Sequence, residues 1–271
     1  MDQVVEERFR ATRGLEVDPE TDQPGYTIDI EFLGGLSESQ KTLFKDAAKR
    51  WSKIITGDVP SVTVDGKTID DILIRAKGEK IDGPGKVLGR AGPNRVRSKT
   101  FLPATASMTF DTDDLPGMEK DGRLGDVIAH EMGHCIGIGT IWDDLKLVDG
   151  AGTKNPTFNG KGAQKEYGTL RGDGKSAPVP VENEGGPGTA DSHWRDTLFG
   201  NEMMTGYIAK KGNPISRLTA AALSDMGYTV DLAAAEAYSI PKTVELLERA
   251  VPDGWEMVGT DYEVLPEAAE D

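Results

Sequence analysis

The first regular pattern in the chain is YTIDIEF, where Ile28, Ile30 and Phe32 alternate with Asp29 and Glu31. That period of two predicts a half-buried strand. Gly34-Gly35 then turns the chain, and Ser37 with Gln40 makes a capping box, the mark of a helix start. Leu43, Phe44, Ala47, Ala48, Trp51, Ile54 and Ile55 recur at helical spacing, which predicts a long amphipathic helix over residues 38–55. Its apolar stripe needs a sheet to pack on. Four short β-like runs can supply it: Ser61–Val64, Ile72–Ala76, Val87–Ala91 and Ala106–Phe110. A second helix is expected over residues 123–136, with Leu124, Val127, Ile128 and Cys135 on its buried face. A third is expected in NPISRLTAAALSDMGY, where Ser216 can cap, Leu218, Ala222 and Met226 form a stripe, and Gly227 stands at the stop position.

Two stretches break this pattern. Residues 1–24 are polar and end in ETDQPG, which reads as a loosely held leader. Residues 143–190 are rich in Gly, Asn, Lys and Pro with little periodicity, so they are expected to form a functional loop or a disordered insertion. A short helical pattern, Val244–Ala250, precedes the acidic end LPEAAED.

Composition narrows the function classes. Asp and Glu number 46 against 31 Lys and Arg, an excess that argues against nucleic acid or anionic membrane as partner. No run approaches the ~18 apolar residues of a membrane span. The opening MDQVVEERFRATRG carries charges where a secretion signal needs an apolar stretch, so either the chain stays inside the cell or a leader has been removed. The single cysteine, Cys135, allows no internal disulfide and no multi-thiolate zinc site.

The chemistry concentrates in AHEMGHCIG, residues 129–137. On a helix, His130 and His134 are one turn apart and reach one ion from the same face. Glu131, beside His130, can stand near that ion without ligating it and take a proton from water. Gly137 follows His134 by three, where a chain leaving the helix and doubling back needs positive φ. Catalytic zinc normally takes three protein ligands, so two histidines are one short. In the compact pattern HExxHxxGxxH the third would fall at position 140, which here is Thr140. The chain's remaining histidine is His193, followed ten and eleven residues later by Met203-Met204.

Together, HEMGHCIGIGTIW, the delayed His193 in GTADSHW, FGNEMMTGY and NPISRLTAAALSDMGY resemble the leishmanolysin family of metzincin zinc metalloendopeptidases, particularly its bacterial members. The likeness runs from about residue 26 to residue 238. It implies an α+β fold: a twisted mixed sheet with a backing helix and the zinc helix above a cleft, and an irregular, helical lower subdomain below it. The implied division is a leader at 1–24, an upper subdomain at 25–137, a lower subdomain with the insertion at 138–238, and an extension at 239–271. His130, His134 and His193 correspond to the zinc ligands, Glu131 to the general base and Met204 to the methionine beneath the metal, with Met203 as the other register. The strand Ala106, Ser107, Met108, Thr109 and Phe110 resembles the edge along which such enzymes lay an extended substrate.

The resemblance further implies one catalytic zinc ion, protein or peptide substrates, and an extracellular or cell-surface setting; the chain is expected to act as a monomer. Asp143, Asp144 and Asp149 support calcium only weakly, since no EF-hand spacing is present. Tyr207 is expected in packing or at a rim, Cys135 in the core, and Trp142 and Trp194 as anchors near the site. Two other readings share the pattern: a zinc-bearing binding or adhesion module without proteolysis, and a metal-dependent amidase for small peptides.

Overall fold

A computed structural model describes residues 4–85, 87–209, 212–242, 255–257 and 262–266. The expected helix Val244–Ala250 and most of the acidic end lie outside these.

The chain opens with a hairpin, β1 (Glu7–Thr12) and β2 (Leu15–Val17), followed by β3 (Thr27–Phe32) and α1 (Glu38–Ile54). Next come a small hairpin, β4 (Val62–Val64) and β5 (Lys67–Ile69), and the long strands β6 (Ile72–Glu79), β7 (Gly89–Val96) and β8 (Pro103–Asp111). Helices α2 (Leu115–Lys120) and α3 (Leu124–Cys135) complete this half. Beyond it lie β9 (Val148–Asp149), β10 (Thr157–Phe158), α4 (Lys161–Leu170), β11 (Val179–Pro180), α5 (Asp196–Phe199) and α6 (Arg217–Met226). Two short strands come last, β12 (Trp255–Met257) and β13 (Glu263–Val264).

The main sheet is mixed, in the order β12-β7-β8-β6-β3-β1-β2, with β13 also on β7. Together with these helices it gives the mixed α+β architecture expected. α1 lies across the sheet because its stripe matches the sheet's apolar face. Phe44 joins the two layers, meeting Phe32 of β3 and Phe110 of β8 edge-to-face with ring centroids 5.9 and 5.4 Å apart. The predicted capping box is present: Ser37 Oγ accepts from the Gln40 amide while the Gln40 side chain accepts from the Ser37 amide. On its other flank α1 supports α3, where buried Trp51 donates from Nε1 to the Ala129 carbonyl at 2.8 Å. Arg50 reaches further, pairing with Asp126 of α3 and with Glu236.

Three expectations need correction. Within residues 1–24 the described part, from Val4 onward, is not a loose leader, because β1 pairs with β3 along its whole length and buries Phe9 and Ala11. Arg10, on the opposite face, is matched by a bidentate pair to Asp29. Nor is 143–190 irregular throughout. It holds α4 and the three-stranded sheet β11-β10-β9, whose Phe158 packs at 5.0 Å from Trp142. Finally, Ala106–Phe110 is not an edge. β8 pairs with β6 on one side and β7 on the other, so its backbone groups are taken.

Candidate metal centre

α3 carries His130 and His134 one turn apart on its inner side, and both are buried. The helix stops where Gly137 takes φ 112°, a left-handed conformation that a side chain would strain. The chain then doubles back, with the Ile138 amide donating to the Gly133 carbonyl at 3.0 Å. This reversal brings the Ile138 carbonyl to His134, whose Nδ1 donates to it at 2.8 Å. One glycine thus ends the helix and orients a histidine.

His193 arrives from the far side of the chain. The flanking Trp194 is fully buried, packs on Trp142 with ring centroids 4.9 Å apart, and donates from Nε1 to Thr219 of α6. Its amide bonds the Met204 carbonyl at 2.8 Å, which ties His193 to the methionine pair. Met203 and Met204 are both fully buried. The Met203 carbonyl accepts from His130 Nδ1 at 2.7 Å, and the Thr189 carbonyl accepts from His193 Nδ1 at 2.9 Å.

These three bonds decide the chemistry of the cluster. A carbonyl can only accept, so each Nδ1 carries the proton and each Nε2 presents a lone pair. The three Nε2 atoms face one another at 2.9, 3.0 and 3.1 Å. Burial pushes His130 down to about 3 and His193 down to about 4, and it holds His134 well below the usual range. Three converging lone pairs with no proton among them repel unless a cation joins them, and backbone carbonyls fixing the outer nitrogens are the usual support for such ligands. The donor set fits zinc. No carboxylate or thiol belongs to this ligand group among the described residues, which leaves a fourth position open.

Glu131 lies next in the chain to His130 and is 4% exposed. Burial pushes its carboxyl up to about 8. Cys135 is buried, its thiol pushed far up by burial and 3.6 Å from the Ser107 carbonyl, as expected for a packing residue. Tyr207 is half-buried. Asp144 accepts a hydrogen bond from Tyr262, and Asp149 accepts one from Asn159.

One residue at this centre went unread in the sequence. Glu202, fully buried, accepts from the Met204 amide at 2.7 Å, the Ser216 amide at 3.1 Å, Ser216 Oγ at 2.6 Å and Thr219 Oγ1 at 2.5 Å. It locks the methionine turn to the start of α6. The only sequence signal was a lone acidic residue directly before the methionine pair.

A helix bearing HExxH, with a third histidine delivered from a distant turn to a buried three-nitrogen centre, defines the zinc metallopeptidase class. Residues 98–245 match the family model for leishmanolysin, and this span covers more than half of the 271-residue chain. The chain belongs to the leishmanolysin family, which is a family of zinc metalloproteases acting on peptides. The match starts at residue 98, so the strands and helix between residues 26 and 97 lie outside it. Comparison with curated proteins gives no match. No helix among the described residues is long and apolar enough to cross a membrane.

Proposed function

We propose that the chain is a zinc-dependent endopeptidase in which His130, His134 and His193 hold one catalytic ion and Glu131 is the general base. The observation that carries this reading is the convergence of three unprotonated Nε2 atoms, each histidine braced by a backbone carbonyl, on a helix where a buried glutamate outside the ligand group follows His130 directly. A zinc ion bound there supplies Lewis acidity that makes water nucleophilic near neutral pH. Glu131 takes the proton from the attacking water and returns it to the leaving amine. Met204, fully buried beside the metal helix, closes the floor of the site. No covalent acyl-enzyme is required.

A structural zinc module is less well supported, because such sites fill the fourth position and need no base. A metzincin layout belongs to the same reading, with residues 25–137 above the cleft and 138–238 below. So does action as a monomer, outside the cell or at its surface. A His193→Ala variant tests the ligand assignment. Zinc retained per chain and cleavage of an unfolded protein should both fall to near background. Full zinc occupancy in that variant would overturn it.

A further inference from the structure

With β8 enclosed, the outer side of the sheet beside the metal helix is β7. Its middle lies close to the end of that helix: Gly92 pairs with Ser107, whose carbonyl meets Cys135. The free side of β7 is already taken. β12 pairs with it in parallel from Trp255 opposite Gly89 to Met257 opposite Ala91, and β13 pairs Glu263 with Arg95 and Val264 with Val96.

The second strand is anchored. The Leu265 amide donates to the Val96 carbonyl at 2.8 Å, and its side chain, 5% exposed, completes a small apolar cluster with Val62, Val64, Ile69, Leu73 and Ala104. Glu263 pairs with Arg95 at 3.0 Å. Tyr262 hydrogen-bonds Asp144, in the segment that leads away from the metal helix. The two described pairings are nonetheless out of step. Ala91 and Arg95 are four positions apart while Met257 and Glu263 are six, so β12 and β13 cannot form one continuous ladder on β7. The change of register falls between Ala91 and Arg95, near the end of the metal helix. An extended peptide held in one register would compete for the β7 backbone groups that these two short strands pair with.

We propose that β12 and β13 cover the β7 edge in cis, and that an extended peptide reaches it only by displacing them. The identity of that peptide as substrate rests on the endopeptidase reading; its competition with the two strands does not. Apparent peptide affinity then scales with the fraction of chains whose β7 edge is open.

The test measures binding, so that it stands apart from catalysis. Zinc-loaded, full-length Glu131→Ala protein is compared with the same protein also carrying Leu265→Asp, and separately Glu263→Arg. The readouts are hydrogen exchange of residues 89–96 and the affinity of a fluorescent ten-residue unstructured peptide. Both changes should speed exchange in β7 and tighten peptide binding, by about tenfold for Leu265→Asp if nine chains in ten are closed. Added peptide should restore the protection. Glu263 is an exposed side chain, so its variant guards against misfolding, and Arg95→Glu added to it should reverse its effect. Faster exchange in β7 without tighter binding would overturn the docking assignment, and unchanged exchange in both variants would overturn the cis occupancy. Tighter binding of a peptide that the Glu131-containing protein never cleaves would count against the endopeptidase reading alone.

Discussion

Gly133 and Met204 pack so closely that a Cβ built on Gly133 would lie 2.7 Å from the Met204 sulfur. The same carbon would lie 2.9 Å from Trp51 Cζ2. The metal helix is therefore pressed between the methionine turn and α1, at a point between its two histidines. Gly133→Ala should cost about 1–3 kcal/mol by overpacking, after offsetting the roughly 1 kcal/mol that alanine gains as a helix former. It should also release zinc more readily. Urea unfolding and metal retention check both; an unchanged midpoint would show that Met204 yields freely.

Glu202 holds the turn from behind. Glu202→Gln replaces an acceptor of four hydrogen bonds by a group that turns N–H toward at least one of their donors. The expected loss is about 1.5–3 kcal/mol, together with weaker zinc binding through Met203 and His130. Thermal unfolding of the zinc-loaded protein measures the first effect and competition with a chelator the second.

Metal removal should destabilise the fold itself, since the ion would relieve repulsion among three buried nitrogens. Chelation should lower the melting temperature, and one equivalent of zinc should restore it. At a free ion concentration 1,000 times its Kd the difference is about 4 kcal/mol. A melting curve indifferent to chelator would contradict the reading of the three lone pairs.

A pH effect is expected far from the metal. Burial, with Asp70 adding to it, pushes the Asp71 carboxyl up to about 7, against bonds from the Val59 and Thr27 amides that lower it. Its folded value thus exceeds its unfolded one, near 3.9. The native state then binds the extra proton, so this contribution to stability is complete at acid pH and is lost as pH rises through about 7. The stability advantage of wild type over Asp71→Asn should shrink between pH 5 and pH 8, as read by urea unfolding at both.

The sequence exposed what strong periodicity or a rigid motif encodes. α1 matches its predicted span to within one residue, Ser37 and Ser216 cap as expected, and Gly227 closes α6 in the left-handed conformation. The structure brings His130, His134 and His193 together as the motifs implied. What stayed hidden depends on partners distant in the chain. β1 reads as polar because Arg8 and Arg10 alternate with its buried side, and their partners include Asp29 and Glu31 across the sheet. α4 was masked by glycines, of which Gly168 is fixed by the Lys175 backbone passing against it. Ala106–Phe110 reads as a strand, but its place in the middle of the sheet depends on β6 and β7. No local pattern reveals that β12 and β13, more than 150 residues downstream, lie beside β7.

The central claim is that Glu131 moves the proton and the three histidines hold the metal. The most direct measurement is zinc content and hydrolysis of an unfolded protein by Glu131→Ala beside wild type. The variant should keep one zinc per chain and lose activity by about 10²–10⁴-fold. Undiminished cleavage by a Glu131→Ala protein that retains its zinc would contradict it.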